Sequence, residues 1–162
     1  WIGAESGSQK IIDAMSRRVK VEQVRSMIQL TKQEGMQAGT FIMLGYPGET
    51  EADIAETLRH LKISSPDLYT LTVAYPIKGT PLYAETNSIF IQELPWETST
   101  DRQIDFKRTY PRKYYDYAIR WIYNEVNADV KMKANRFSDV PVLKAKAFVS
   151  RLGMLYYKWK KN

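Results

Sequence analysis

The 162-residue chain has no cysteine and a single histidine, His60. Without a thiol it forms no disulfide, no thiolate zinc site and no cysteine-ligated iron–sulfur cluster of its own. One histidine without a histidine or cysteine partner supports no first-row transition-metal site, and we expect His60 to sit on the surface of a helix. No Ser–His or Cys–His pairing suggests a nucleophilic hydrolase. No run of about 18 apolar residues marks a membrane span, and no charged-then-apolar opening marks a leader, so a cytoplasmic location is the expectation. Internal repeats and low-complexity tracts are absent. The chain starts at Trp1, and Trp1-Ile2-Gly3-Ala4 reads as a strand already under way, which points to a piece of a longer protein.

What is present is an ordinary globular composition, 44 % apolar and 26 % charged, enough for a core without staples. The net charge of +6 is unevenly spread. From Lys131 to Asn162 nine basic residues face Asp139 alone, a local +8, which leaves −2 for the first 130 residues. Basicity is thus a property of the tail.

The first half alternates apolar runs with helical periodicity. A strand over Trp1–Ala4 leads through Glu5-Ser6-Gly7-Ser8, whose serines suit capping, into a helix from Gln9 to Ser16. A second helix spans Val21 to Glu34 with Val24, Met27, Ile28 and Thr31 on one face and Gly35 as its stop. A strand over Gln37–Leu44 ends at Gly45-Tyr46-Pro47-Gly48, and a helix capped by Thr50 runs from Glu51 to Ile63. Leu68–Tyr75 is a third strand, and a short helix begins at Pro81–Ala84. Strand, helix, helix, strand, helix, strand argues for parallel pairing with right-handed crossovers. The character changes after Asn87. A polar segment from Gln92 to Phe106 precedes two helices, Tyr110–Val126 and Val140–Lys160, and we divide the chain into residues 1–87 and 88–162.

Loops that follow parallel strands gather at one rim, where ligands bind. Here they are Glu5–Ser8, Gly45–Thr50 and Tyr75–Pro81, each with glycine beside a hydroxyl or a carboxylate. Turn formation and capping alone would also account for them. Read together, Gly3-Ala4-Glu5-Ser6-Gly7-Ser8-Gln9, Met15-Ser16-Arg17, Phe41-Ile42-Met43-Leu44-Gly45-Tyr46-Pro47-Gly48-Glu49-Thr50 and Tyr75-Pro76-Ile77-Lys78-Gly79-Thr80-Pro81-Leu82-Tyr83 resemble the radical S-adenosylmethionine superfamily. Within it the cobalamin-binding branch, which includes magnesium-protoporphyrin ester oxidative cyclase-like proteins, is most similar.

The resemblance covers residues 1–83 and implies the C-terminal half of a parallel (βα)6 partial barrel, followed by a helical extension. It implies S-adenosylmethionine as cofactor. Glu5 and Ser6, with Ser8 beside them, would meet the ribose or aminoacyl group, and Arg17 would lie near the cofactor carboxylate. Met43 and Gly45 would pack on adenine, and Tyr75 and Pro76 would meet its edge. The family's CxxxCxxC motif is missing, so the [4Fe–4S] cluster and any cobalamin would be held by other parts of a parent enzyme, and this chain alone would be inert. The parent's small-molecule substrate is undefined: methyl transfer, oxidative cyclisation and other radical reactions all stay open. Glu5→Ala and Gly45→Val are expected to weaken cofactor binding with the fold intact.

Two further expectations concern partners. The edge of the first strand would pair with a missing strand, or with a second copy in a homodimer. The tail mixes basic residues with Tyr110, Tyr114, Tyr115, Tyr117, Trp121, Tyr123, Tyr156, Tyr157 and Trp159, which suits RNA or an anionic membrane. In the last helix Val149, Leu152, Leu155, Tyr156 and Trp159 share a face, and we expect that face to pack inward.

Overall fold

The computed structural model describes residues 1–92 and 104–160. Three parallel strands, β1 (Ile2–Glu5), β2 (Gly39–Leu44) and β3 (Leu68–Val73), lie side by side in chain order. Between them run α1 (Gln9–Ala14), α2 (Val21–Gln33) and α3 (Glu51–Ser64). A short helix α4 (Pro81–Thr86) leads to β4 (Phe90–Gln92), which pairs antiparallel with β5 (Asp105–Phe106). Two long helices, α5 (Arg112–Lys133) and α6 (Val140–Trp159), complete the chain. The order of strands and helices expected from the sequence is found through α4 and again in α5 and α6, whereas the β4–β5 pair was not expected. Most of the polar segment read from Gln92 to Phe106, residues 93–103, lies outside the described residues.

Local chemistry explains where the elements stop. Gly35, at φ 75°, follows α2, and the amides of Gly35 and Met36 donate to Lys32 and Thr31 carbonyls at 3.0 and 3.2 Å, closing a Schellman turn. At the start of α3 the Asp53 carboxylate accepts from the Thr50 amide at 2.8 Å and its hydroxyl at 2.6 Å, and this double hold on the N-cap residue anchors the first turn. Pro111 sets the start of α5. That helix runs to Lys133 rather than stopping at Val126 as expected, because Val126 and Ala128 are buried and Asp129 pairs with Lys133 at 2.7 Å, one turn on. Tertiary cover overrides the weak helix formers Asn127 and Asp129.

Alternation along β2 divides the sheet. Thr40, Ile42 and Leu44 are buried, with Ile42 and Leu44 in a cluster with Val24 and Ile28 of α2, Ile54, Leu58 and Leu61 of α3, and Tyr114, Tyr115 and Ile122 of α5. The opposite face carries Phe41, stacked on Trp1 at 4.6 Å between ring centroids, and Leu68, all exposed. A parallel sheet is normally covered on both faces; among the described residues only one is.

Two expectations are corrected. His60 is wholly buried: the β1–α1 loop lies so close to α3 that a Cβ on Gly7 would stand 2.6 Å from the His60 Cβ. Burial first, and then the nearby Arg25, lower its pKa to about 4, so the imidazole is neutral. The α6 stripe is likewise reversed. Ala147, Ser150 and Met154 face inward, while Val149, Leu152, Leu155, Tyr156 and Trp159 are exposed. The cause is close helix approach: a Cβ on Gly153 would meet the Tyr117 ring of α5 at 2.4 Å. Small side chains, with Met154 as the one large residue among the buried ones, make the seam.

Candidate cofactor groove at the strand ends

The three strands deliver their C-terminal ends to one rim. At the end of β1 the pairing register shifts between Gly3 and Glu5, and Glu5 adopts a left-handed backbone with φ 61°. Such a conformation costs free energy for a residue with a Cβ and concentrates at functional sites. Arg17, from the turn after α1, holds the result: Nη1 donates to Glu5 Oε1 at 3.1 Å and Nη2 to the Gly3 carbonyl at 2.9 Å. Gly3 makes this possible, because a Cβ there would stand 2.7 Å from Glu5 Oε1.

Glu5 and Arg17 form one wall of a groove of about 380 Å³ whose other walls include Met43 of β2, Tyr46, Tyr75 and the 77–82 loop. This volume lies within the range of small-molecule sites. A second cavity, also about 380 Å³, adjoins it beyond Met43 and Tyr75 and is lined by Leu71, Val73, Ile119 and Arg112. Tyr46 ties the rim to α1 by donating to the Ala14 carbonyl at 3.3 Å.

Four of the eight residues singled out in the sequence, Glu5, Arg17, Met43 and Tyr75, thus line one groove. The others support it from behind. Ser6 and Ser8 are buried; the Ser6 hydroxyl lies 3.3 Å from that of Thr57, and the Ser8 hydroxyl donates to Asp53 at 2.7 Å rather than capping α1. Pro76 is buried after β3. Gly45 turns the chain at φ 79°, and a Cβ there would come within 3.0 Å of Arg108 Cδ. Gly45→Val would therefore strain this turn as well as alter the groove's rim.

The residues that organise the rim were not evident in the sequence. Glu49 is completely buried; its Oε2 accepts from the Gly45 amide at 2.5 Å, while Oε1 has no partner among the described residues. Burial drives its pKa up to about 8, against the opposing pull of the Gly45 amide, so the carboxyl is predominantly protonated at neutral pH. Asp53 behaves oppositely. Burial favours its neutral form, but hydrogen bonds from Lys10, Thr50 and Ser8 prevail and bring its pKa to about 2. Lys10 reaches it at 2.8 Å and also donates to the Gly48 carbonyl at 2.9 Å.

Arg108 enters from the C-terminal half. Its buried guanidinium donates to the carbonyls of Ala74 at 2.5 Å and Phe106 at 3.2 Å, pairs with Asp105, and lies 4.1 Å from the Phe106 ring centroid. The only available sequence signal was Thr50-Glu51-Ala52-Asp53, a capping-box spacing read simply as a helix start. Glu49 stood in the Gly45–Thr50 motif without a role of its own, and nothing in the sequence marked Arg108.

No family model matches the chain. Curated proteins do. Over 94 residues it is 30 % identical to an uncharacterized methyltransferase of Pyrococcus horikoshii, a match covering 56 % of this chain and 20 % of that protein. Over 100 residues it is 32 % identical to the tRNA-2-methylthio-N(6)-dimethylallyladenosine synthase of Protochlamydia amoebophila, covering 60 % of this chain and 21 % of that protein. The synthase of the same name from Thermus thermophilus is 26 % identical over 134 residues, 80 % of this chain and 27 % of that protein. The chain thus spans between a fifth and about a quarter of the length of these relatives, whose names make no reference to cobalamin. These partial matches to a methyltransferase and to tRNA-modifying synthases support the resemblance to the radical S-adenosylmethionine superfamily that the strand-end motifs carry.

Proposed function

We propose that this chain supplies the S-adenosylmethionine-binding second half of a (βα)6 partial barrel in a longer enzyme. The observation that carries the reading is the single groove into which Glu5, Arg17, Met43 and Tyr75 converge from three different strand ends. Its chemistry suits the ligand. A carboxylate can accept from ribose hydroxyls or an ammonium group, a guanidinium can pair with a carboxylate, and a thioether and an aromatic ring offer adenine an apolar seat. Glu49 acts behind this surface as a positioning residue, holding the Gly45 amide and with it the turn after β2. Bound S-adenosylmethionine supplies the radical-forming and group-transferring chemistry of the superfamily.

The [4Fe–4S] cluster of that superfamily does not fit this chain's own side chains. It has no cysteine, and among the described residues no three His, Asp or Glu side chains gather as a metal site. On this reading the cluster belongs to the preceding half of the barrel, whose last strand would pair with the edge of β1 that no described strand covers. In isolation that edge is where a second copy would pair. Methyl and methylthio transfer, the reactions in the relatives' names, are the parent activities we favour over oxidative cyclisation.

The test is titration of the chain with S-adenosylhomocysteine, followed by calorimetry and by backbone NMR shifts. The expected result is weak binding with shifts confined to Glu5, Arg17, Met43 and Tyr75 and their neighbours, abolished in Glu5→Ala. Shifts elsewhere, or an affinity of the longer protein unchanged by Glu5→Ala and Arg17→Ala, would overturn the assignment.

A further inference from the structure

The outward face of α6 has no partner among the described residues, although it is the most apolar surface of the chain's basic segment. Phe148, Val149, Leu152, Leu155, Tyr156 and Trp159 are between 42 % and 81 % exposed. At about 100° per residue these six share an arc of about 120° that contains no charged residue. Cations flank the arc on both sides. Lys144 and Lys158, bound to Glu125 and Glu51 at 2.8 and 2.7 Å, lie on one side. Lys146 and Lys160, which form no ion pair among the described residues, lie on the other.

We propose that this face docks on an anionic lipid surface, with α6 parallel to the membrane plane and its apolar arc in the headgroup boundary. Large aliphatic and aromatic side chains flanked by lysines are the composition of an interfacial helix, and Trp159 and Tyr156 are the residue types that settle at that depth. The helix is not long and apolar enough to cross a membrane, so it lies on the surface.

Charge decides between occupants. Two copies meeting face to face would set the flanking lysines of one against those of the other, with Asp139 as the only acidic residue between Lys131 and Asn162 and already paired with Lys131 at 3.0 Å. An RNA strand needs cations where its phosphates run, whereas here the cations stand only at the two margins of the arc, with the aliphatic Leu152 at its centre among the exposed rings of Phe148, Tyr156 and Trp159. An anionic bilayer satisfies both features, with acyl chains for the arc and headgroups for the lysines.

The experiment is flotation of the intact chain with vesicles of phosphatidylcholine alone or mixed with phosphatidylglycerol, together with tryptophan fluorescence. Binding to the mixed vesicles with a blue shift that disappears in Trp159→Phe is expected. Leu152→Asp should abolish binding with an unchanged circular dichroism spectrum, and the pair Lys146→Gln and Lys160→Gln should weaken it roughly thirtyfold. No flotation with either vesicle would overturn the proposal. So would equal affinity for single-stranded RNA that survives Leu152→Asp, or a dimer in solution that Leu152→Asp dissociates.

Discussion

Glu49 has one carboxyl oxygen on the Gly45 amide and the other without a partner, so its neutral form is the stabler one in the fold, and it titrates at about 8 instead of 4.5. A group whose pKa is raised on folding contributes stability that is whole below the unfolded value and is lost as pH climbs through 4.5 to about 8. His60 has the opposite sign. Its pKa falls from 6.5 to about 4, so its contribution is whole above 6.5 and is lost as pH drops toward 4. Between 4.5 and 6.5 the two slopes cancel, and above 6.5 only that of Glu49 remains. Wild-type stability should therefore decline by at most about 2 kcal/mol from pH 6.5 to 8. Glu49→Gln, which keeps an acceptor for Gly45 but cannot ionise, should remain level. Urea titrations at both pH values decide this; parallel declines in the two proteins would mean that Glu49 is already ionised in the fold.

At the scale of elements, the junction between the β1–α1 loop and α3 holds the rim in place. A Cβ on Gly7 would lie 2.5 Å from Thr57 Cα and 2.7 Å from the Glu56 carbonyl, both backbone atoms that cannot swing aside. Gly7→Ala should cost about 3 kcal/mol by forcing the loop off α3. Ser6→Ala, which loses the hydroxyl contact with Thr57 and the acceptor of the Ser8 amide at 3.1 Å, should cost about 2 kcal/mol. Overlapping melting curves for Gly7→Ala and wild type would show that the loop is not pinned there. This junction was only half legible in the sequence. Strand alternation in β2, the stop at Gly35 and the start at Thr50 are local signals, and the elements they bound were read nearly to the residue. Gly7 was read as a turn residue, and His60 as a surface residue, because their roles exist only once two distant segments touch. The same holds for α6. Hydrophobicity pointed to the large residues as its buried side, whereas the separation from α5 selected Ala147, Ser150 and Gly153. Of the groove, the motifs gave Glu5, Arg17, Met43 and Tyr75; Glu49 and Arg108 depend on burial, which no local pattern reports.

For the whole molecule the question is whether the strand-end groove can stand without the C-terminal half. Tyr114, Tyr115, Ile122 and Val126 of α5 belong to the same buried cluster as Ile54, Leu58, Leu71 and Val73, and Met154 of α6 closes it from outside. Ion pairs repeat the connection: Lys62 meets Glu125 at 2.6 Å, and Glu51, the first residue of α3, holds Arg151 together with Lys158 at 2.7 Å. At the rim itself Arg108 binds the carbonyl of Ala74, directly before Tyr75. Removing residues 93–162 would therefore uncover the helix-facing side of β3 while its other face is already open, leaving a three-stranded sheet covered only by α2 and α3. Burial of large apolar side chains contributes about 2 kcal/mol each, and the several lost here together exceed the net stability of a small domain. The full chain should melt in a single transition followed by both tryptophan fluorescence and circular dichroism. Residues 1–92 alone should show no cooperative transition and no S-adenosylhomocysteine binding. Cooperative melting of that truncated chain would mean that α5 and α6 only adorn a core that folds without them, and the groove would then belong to the first half alone.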